Sequence, residues 1–339
     1  MAIVKKKLKI GVVGATGMVG QTFMNILEEQ NFPVSELRPF ASENSLGKKI
    51  PLSGRQWACQ VLKPGCFEGL DLVFFSSGDD ISKEWAPRAV EAGAFAVDNS
   101  AAFRMSDAIH LVVPEVNGDL IRRAQQPQII ANPNCSTIQL VVALKPLLDH
   151  FGLREVRVSS YQAVSGAGQP GYEELLDQVK NLQDPQPQPQ HFPHPIAFNL
   201  IPQIGTFNES GFCSEELKIM RETRKILSQP RLKISAFTVR VPVLNAHSES
   251  VWVELDQTVD RSKIIEALQA GAGLVYQDDP INSVYPQPRH VSGQDPVYVG
   301  RLHRDLDNEK LWILWIVSDN LRKGAALNGV QIAELIWGE

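Results

Sequence analysis

A chain of 339 residues, 43% hydrophobic and 21% charged, has more apolar material than one core can use, so two domains are expected. Its net charge of -5 excludes the broad basic field that draws a protein to DNA, RNA or anionic lipid, and leaves any phosphate to be met by local groups. No stretch approaches the roughly 18 unbroken apolar residues of a membrane helix, since even "LWILWIVSD" stops at Asp319.

In chain order, the start "MAIVKKKLKIGVVGATGMVG" has too short an apolar part, and no small-residue cleavage site, to be a signal peptide. It reads as a strand. Residues 18–30 follow as a helix with Val19, Phe23, Ile26 and Leu27 on one face. "ELRPFAS", "DLVFFSS" (71–77), "AFAVDNS" and "PQIIANP" read as further strands, with "SKEWAPRAVEAG" a helix among them. This βαβ rhythm, with strands apolar on both faces, predicts a doubly wound parallel sheet.

The texture changes after Cys135. "STIQLVVALKPLLDHFG" reads as a long amphipathic helix, and "REVRVSSYQAV", "ISAFTVRVPV" and "ESVWVEL" as alternating strands. An antiparallel or mixed sheet with helices on one face is expected, in a second domain of α+β type. The Pro/Gln-rich stretch 183–195 has no periodicity and reads as an exposed loop. "NLRKGAALNGVQIAELIWG" closes the chain as a helix able to pack back on the first domain.

Gly11, Gly14, Gly17 and Gly20 recur every three residues after a strand and before a helix. In that context glycines permit the tight turn and close backbone approach of a dinucleotide site, and the helix N-terminus meets the pyrophosphate. A plain structural turn is the other reading. Ser42, Glu43, Lys48 and Lys49 occupy the stretch that chooses between a ribose hydroxyl and a 2′-phosphate; the serine and lysines suit the phosphate, and Glu43 opposes it.

Of Cys59, Cys66, Cys135 and Cys213, none forms a CxxC pair or stands at metal-ligand spacing from a histidine, so no metal site and no disulfide framework is expected, as in a reducing cytoplasm. Cys135 stands apart in "NPNCSTIQL". Pro133 breaks the preceding strand and a helical period follows, so the sulfur lies at a helix start, where free N–H groups and partial positive charge favour the thiolate. Those amides, with Asn134, could form an oxyanion hole. A small buried cysteine is the plainer alternative. Among the seven histidines, His247 follows Arg240 by seven residues and reads as part of a short connection between two strands, where catalytic groups tend to stand; taken alone it reads as structural.

The motifs "GATGMVG", "VDNSAAFR", "NPNCSTIQ", "YQAVSGAG", "EELKI" and "VRVPVLNAHSE", in this order over nearly the whole chain, closely resemble aspartate-β-semialdehyde dehydrogenase of the bacterial type. The resemblance implies an α/β fold: a Rossmann-type domain over residues 1–134, completed by a helix at 320–339, and a catalytic and dimerisation domain over 135–319, like that of glyceraldehyde-phosphate dehydrogenase. It also implies a cytoplasmic homodimer. The implied reaction is NADPH-dependent reductive dephosphorylation of L-aspartyl 4-phosphate to aspartate semialdehyde and inorganic phosphate, toward lysine, methionine, threonine and diaminopimelate.

By the same resemblance, Cys135 is the nucleophile, His247 the acid/base residue, Gln162 a positioner of substrate, Arg240 the α-carboxylate clamp and Glu215 the partner of the substrate amine, with Glu216 adjacent. Arg104 and Lys218 match the phosphate pair. Thr16, Gly17, Met18 and Val19 match the cofactor turn, Ser165 and Gly166 the contact near the nicotinamide, and Asn320 a cofactor contact near the last helix. Ser42, Asn44 and Ser45 stand where many bacterial relatives carry "ASARSAGK"; here the text is "ASENSLGK", with Asn44 in place of the 2′-phosphate arginine. NADP use with NAD as a weaker alternative is therefore expected. N-acetyl-γ-glutamyl-phosphate reductase, the nearest rival, is disfavoured by "NCSTIQ" where "GCYPT" is expected, as is glyceraldehyde-phosphate dehydrogenase, whose "SCTTN"-like motif is absent; a silent paralogue acting as a binding module would be expected to lack Cys135, His247 or Arg240.

Overall fold

A computed structural model describes residues 6–181, 183 and 188–338. The chain separates into two compact units, Met1–Asn134 with Ala325–Glu339, and Cys135–Gly324.

In the first unit the strands are β1 (Leu8–Val13), β2 (Val34–Phe40), a hairpin of β3 (Lys49–Leu52) and β4 (Arg55–Ala58), then β5 (Leu72–Phe75), β6 (Phe95–Asp98), β7 (His110–Leu111) and β8 (Ile129–Ala131). Its helices before Asn134 are α1 (Met18–Glu29), α2 (Asp79–Glu91) and α3 (Pro114–Asn117). The main sheet has the order β2-β1-β5-β6-β8-β7, and every pairing in it is parallel. This is the doubly wound sheet. Its strands are apolar on both faces because helices cover both sides. One face packs Leu8, Ile10, Val12 and Phe74 on Phe23, Ile26 and Leu27 of α1, with the Phe23 and Phe74 rings stacked 4.2 Å apart; the other packs Val13, Val73 and Phe75 on Trp85, Ala86 and Ala89 of α2. The β3–β4 hairpin is not foreseen from the sequence: its strands are four residues long and mostly exposed, and the turn is made by Ser53 and Gly54, both at positive φ.

The second unit contains α4 (Cys135–Phe151), β9 (Leu153–Gln162), α5 (Gly168–Lys180), α6 (Ser214–Ile226), β10 (Lys233–Arg240), β11 (His247–Leu255), α7 (Arg261–Ala270), β12 (Leu274–Tyr276), α8 (Pro288–Val291), β13 (Val297–Arg304) and β14 (Leu311–Ser318). The sheet order is β10-β9-β11-β14-β13-β12. It is mixed: β10 runs parallel to β9, while β9, β11 and β14 alternate in direction. Helix α4 packs on β9, β11 and β14, and α6 on β10.

Two expectations for this unit are corrected. Helix α4 is not amphipathic over its first half: Ser136 through Leu144 are all buried, because the helix lies against the sheet and is flanked by α6 and α7. His247 is not in a connection but is the first residue of β11. Within the Pro/Gln stretch, residues 184–187 lie outside the described residues; His191 and Phe192 donate their backbone N–H to Glu174 of α5.

The chain ends with a π-helical turn, Arg322–Ala326, that leads into α9 (Leu327–Trp337). Val330, Ile332, Ala333 and Ile336 of α9 join the core of the first unit. Among the described residues no helix is long and apolar enough to cross a membrane, and no cluster of three metal-ligating side chains is found.

Candidate active site

Strand register assembles the second unit's polar centre. On β10 Arg240 pairs with Gln162 of β9, and on β11 His247 pairs with Ser318 of β14; the Ser248–Tyr161 pair sets His247 beside Gln162. Alternation puts Arg240, Gln162, His247 and Ser318 in one row on the helix-covered face. All four are at least 95% buried. So polar a row would not survive in an ordinary core.

The loop after β9 fixes the ends of this row. The Ala163 N–H donates to Nδ1 of His247 at 3.0 Å, and the Ala163 carbonyl accepts from Nη1 of Arg240 at 2.7 Å. One residue's backbone thus orients both side chains. Gly166 closes the loop over them: a Cβ there would stand 2.9 Å from Nη1 of Arg240 and 2.9 Å from Nε2 of His247. Burial, and then the charge of Arg240, push the His247 imidazole well below its ordinary range. Burial also lowers Arg240, while Glu215 and Cys135 act in the opposite direction, which places both among its electrostatic neighbours.

Helix α6 resolves which of two adjacent glutamates faces this row. Glu216 is occupied in capping its own helix, accepting from the Cys213 N–H at 2.9 Å and the Thr238 N–H at 3.2 Å. Glu215 instead accepts from the Gln162 amide at 3.3 Å and pairs with Lys218 at 3.3 Å.

Cys135 is the first residue of α4 and is partly exposed, whereas Cys59, Cys66 and Cys213 are buried. Burial pushes the thiols of Cys59 and Cys66 up, and Cys213 lies 3.1 Å from the Thr238 hydroxyl. Only Cys135 joins access to a helix N-terminus. The π-turn lies against it, for a Cβ on Gly324 would come within 2.9 Å of the Cys135 Cβ. Nothing in the sequence marks Gly324, since a glycine inside a helical pattern carries no local sign of what it touches.

Ser165 and Asn320 form a buried pair in the same unit. Their side chains hydrogen-bond at 2.9 Å, and Asn320 also accepts the Ala246 N–H at 3.0 Å, tying the start of β11 to the end of β14.

A second polar row lies one step deeper, with Thr238 and Glu249 each opposite Ser160. Glu249 is fully buried, and that burial pushes its carboxyl up to about 8, with Gln139 of α4 offsetting part of the rise. Because the folded carboxyl holds its proton to a higher pH than the unfolded one, stability from this group is full below the ordinary glutamate range and is lost as pH rises through about 8. Replacing Glu249 by Gln should leave stability at pH ~5 nearly unchanged and raise it progressively toward pH ~8.5, at about 1.4 kcal/mol per pH unit at most. Denaturant unfolding of both proteins across that range checks this; parallel curves would assign the titration elsewhere.

In the first unit, the glycine loop fits a dinucleotide. Gly14 has φ +83°, and a Cβ there would stand 2.7 Å from the Ser76 carbonyl oxygen; one at Gly20 would collide with the Gly14 carbonyl. Gly17 begins α1 with no side-chain cap, so Thr16, Gly17, Met18 and Val19 present a bare helix start to an anion. Gly11 requires a correction. It lies inside β1, and its missing side chain makes room for Leu70, Val73 and Phe40, so it serves packing rather than the cofactor loop. Ser42, Asn44 and Ser45 stand after β2, in and beside a short 3-10 turn, with Asn44 exposed.

Arg104 is also in this unit, 93% buried, and donates to the carbonyls of Asn132 and Asn99, each at 2.9 Å. The Asn132 side chain in turn bonds Asn99 and Asn328, which ties the carboxyl ends of β6 and β8 together at the edge where such sheets bind ligands.

A nucleotide-type loop on a parallel sheet in one unit, and a helix-start cysteine with a buried His and Arg in the other, are the features of a nucleotide-binding oxidoreductase. Residues 9–124 match the family model "Semialdehyde dehydrogenase, NAD binding domain", and residues 144–323 match "Semialdehyde dehydrogenase, dimerisation domain". The aspartate-semialdehyde dehydrogenase of Aquifex aeolicus is 46% identical over 334 residues, covering 98% of each chain. Among solved structures, aspartate semialdehyde dehydrogenase II of Vibrio cholerae, complexed with ASA, superposes with a TM-score of 0.94 at 40% identity, and the Candida albicans enzyme with NADP does so at 0.76 and 27%; each match covers 98% of both chains. The chain belongs to the aspartate-semialdehyde dehydrogenase family.

Proposed function

We propose that the chain reduces L-aspartyl 4-phosphate to L-aspartate 4-semialdehyde with release of phosphate, within lysine, methionine, threonine and diaminopimelate biosynthesis, as a cytoplasmic homodimer. The observation that carries this reading is the buried Arg240–Gln162–His247 row in a unit whose one partly exposed cysteine opens a helix.

Each residue has a task its surroundings support. Arg240, held at one nitrogen by Ala163, keeps the rest of its guanidinium for the substrate α-carboxylate. Glu215 takes the α-ammonium, and Gln162, already bonded to it, sets the depth of the bound chain. Cys135 attacks the acyl phosphate carbon, expelling phosphate and holding the acyl group as a thioester, with Asn134 and the first amides of α4 beside the developing oxyanion. His247 serves the reacting oxygen. Arg104 and Lys218 are the phosphate ligands proposed in the two units.

The cofactor is NADP, held by Gly14, Thr16, Gly17, Met18 and Val19 at the start of α1 and by Ser42, Asn44 and Ser45 at the ribose phosphate, with Ser165, Gly166 and Asn320 the proposed contacts from the second unit. When bound, it supplies the hydride. A second copy of this chain is proposed to cover the outer face of the second sheet, where Phe237 is 54% exposed and Trp252 and Trp315 are partly exposed.

The test is phosphate-dependent oxidation of aspartate semialdehyde, followed as NADPH or NADH formation. Turnover with NADP is expected, with a preference over NAD narrowed by Asn44 and Glu43. Asn44→Arg should lower KM for NADP by roughly tenfold, equivalent to about 1.4 kcal/mol, and leave KM for NAD unchanged. No turnover with phosphate and either nucleotide would reject the reading; equal gains for both would remove Asn44 from the 2′ position.

A further inference from the structure

We infer that Asp319, to which the function proposed above assigns no contact with substrate or cofactor, is a positioning residue: it seats the turn that covers Cys135 and orients Ser165 and Asn320, the proposed cofactor contacts of the second unit. This deepens that function and rests on it.

Asp319 follows the last residue of β14 and is 2% exposed. Four N–H donors converge on its carboxylate. Oδ1 accepts from the backbone of Leu321 at 2.8 Å and of Arg322 at 3.0 Å. Oδ2 accepts from the backbone of Gly293, just after α8, at 2.7 Å and from Nδ2 of Asn245 at 2.7 Å. This arrangement suits a carboxylate, which only accepts; an amide of the same size would turn its NH2 toward two of the four donors and leave them opposed.

Two consequences run outward from this carboxylate. The first reaches the sulfur. Oδ1 caps the π-turn Arg322–Ala326, and the Asp319 carbonyl accepts the Gly324 N–H at 3.0 Å, so side chain and backbone of one residue fix the turn that lays Gly324 against Cys135. Asp295 holds Arg322 of the same turn at 2.7 Å. The second consequence is one of direction. Because Asp319 only accepts, Asn245 must aim its NH2 at it and its carbonyl away. That carbonyl accepts from the Ser165 hydroxyl at 2.9 Å. The hydroxyl's one proton is then committed, and its lone pair receives Nδ2 of Asn320 at 2.9 Å. Oδ1 of Asn320 is left for the Ala246 N–H at 3.0 Å, which holds an alanine at φ 71°, a left-handed conformation that alanine adopts only under constraint. Each amide and hydroxyl in the chain has one orientation, and Asp319 sets it.

Three full-length proteins test this: wild type, Asp319→Asn and Asn245→Ala. The first variant keeps the shape of the side chain and opposes two of its donors. The second, at a partly exposed position, cuts only the branch that leads to Ser165. In both, kcat should fall by about 10- to 100-fold. The Kd for NADP should rise by about tenfold, while that for adenosine 2′,5′-bisphosphate, which has no nicotinamide to meet the second unit, stays unchanged. Only Asp319→Asn should speed alkylation of Cys135 by iodoacetamide, by about threefold or more at a pH where the thiol is fully ionised, because only there does the turn lift from the sulfur; peptide masses identify the alkylated residue. Wild-type kcat and NADP affinity in Asn245→Ala, or equal weakening of both nucleotides, would overturn the inference, as would unchanged alkylation in Asp319→Asn. An Asp319→Asn protein that does not fold leaves Asn245→Ala to decide, by the same criteria. A wild type that forms no NADPH would reject the function proposed above, whereas nucleotide binding and alkylation read the network without turnover.

Discussion

Cys135→Ser should fold and bind the nicotinamide cofactor like the parent while losing turnover by about 10³-fold or more. The side chain opens α4 and is partly exposed, so exchanging sulfur for oxygen disturbs no packed core. The chemistry changes completely, because a helix N-terminus can hold a thiolate near neutral pH but cannot bring a hydroxyl to ionise. Quenching wild-type turnover and weighing the peptides should place the acyl adduct on Cys135. An adduct on Cys59, Cys66 or Cys213 would reject the assignment, and buried thiols raised by desolvation make that outcome unexpected for the first two.

Gly166→Ala should lower kcat and raise KM together, with kcat/KM down by about 100-fold, at little cost in stability. The new methyl would lie 2.9 Å from Nη1 of Arg240 and from two ring atoms of His247, so both must shift by a few tenths of an ångström or the loop must lift. In the proposed site Arg240 holds the substrate and His247 faces the reacting group, and small misplacements of such groups cost rate steeply. Position 166 is not at positive φ, so the backbone itself accepts alanine. Michaelis kinetics beside a thermal melt separate the two effects: unchanged kinetics would mean that the loop yields freely, and a collapse in Tm would mean that Gly166 serves folding.

The class of fold was legible because periodicity is local. Two-faced apolar runs such as "DLVFFSS" can only be buried strands, and helices between them force parallel crossovers. The β3–β4 hairpin escaped notice because "KKIPLSGRQWA" alternates too weakly to announce strands. The text of α4 has an amphipathic look, and its burial between sheet and helices is a tertiary fact that no local pattern carries. Nothing local in "VPVLNAHSE" marks where the connection ends, and the strand begins at the histidine itself.

The candidate site divides in the same way. Sequence by itself determined that Cys135 starts a helix, that a glycine turn joins a first strand to a first helix, and that family motifs run through nearly the whole chain, since each rests on neighbours within a few residues. Gly11 shows the limit: its spacing matches the loop, and only the packing of Leu70, Val73 and Phe40 around it reveals a core role. The tertiary structure alone decided that Glu216 caps α6 while Glu215 meets Gln162, that Ala163 holds His247 and Arg240 with its two backbone groups, and that Gly324 lies against Cys135. Apart from the Cys213–Glu216 cap, which is local, those relations join residues roughly 50 to 190 positions apart. Strand register and helix packing set them, and both are fixed by the sum of many weak contacts over the whole fold rather than by any one stretch of chain.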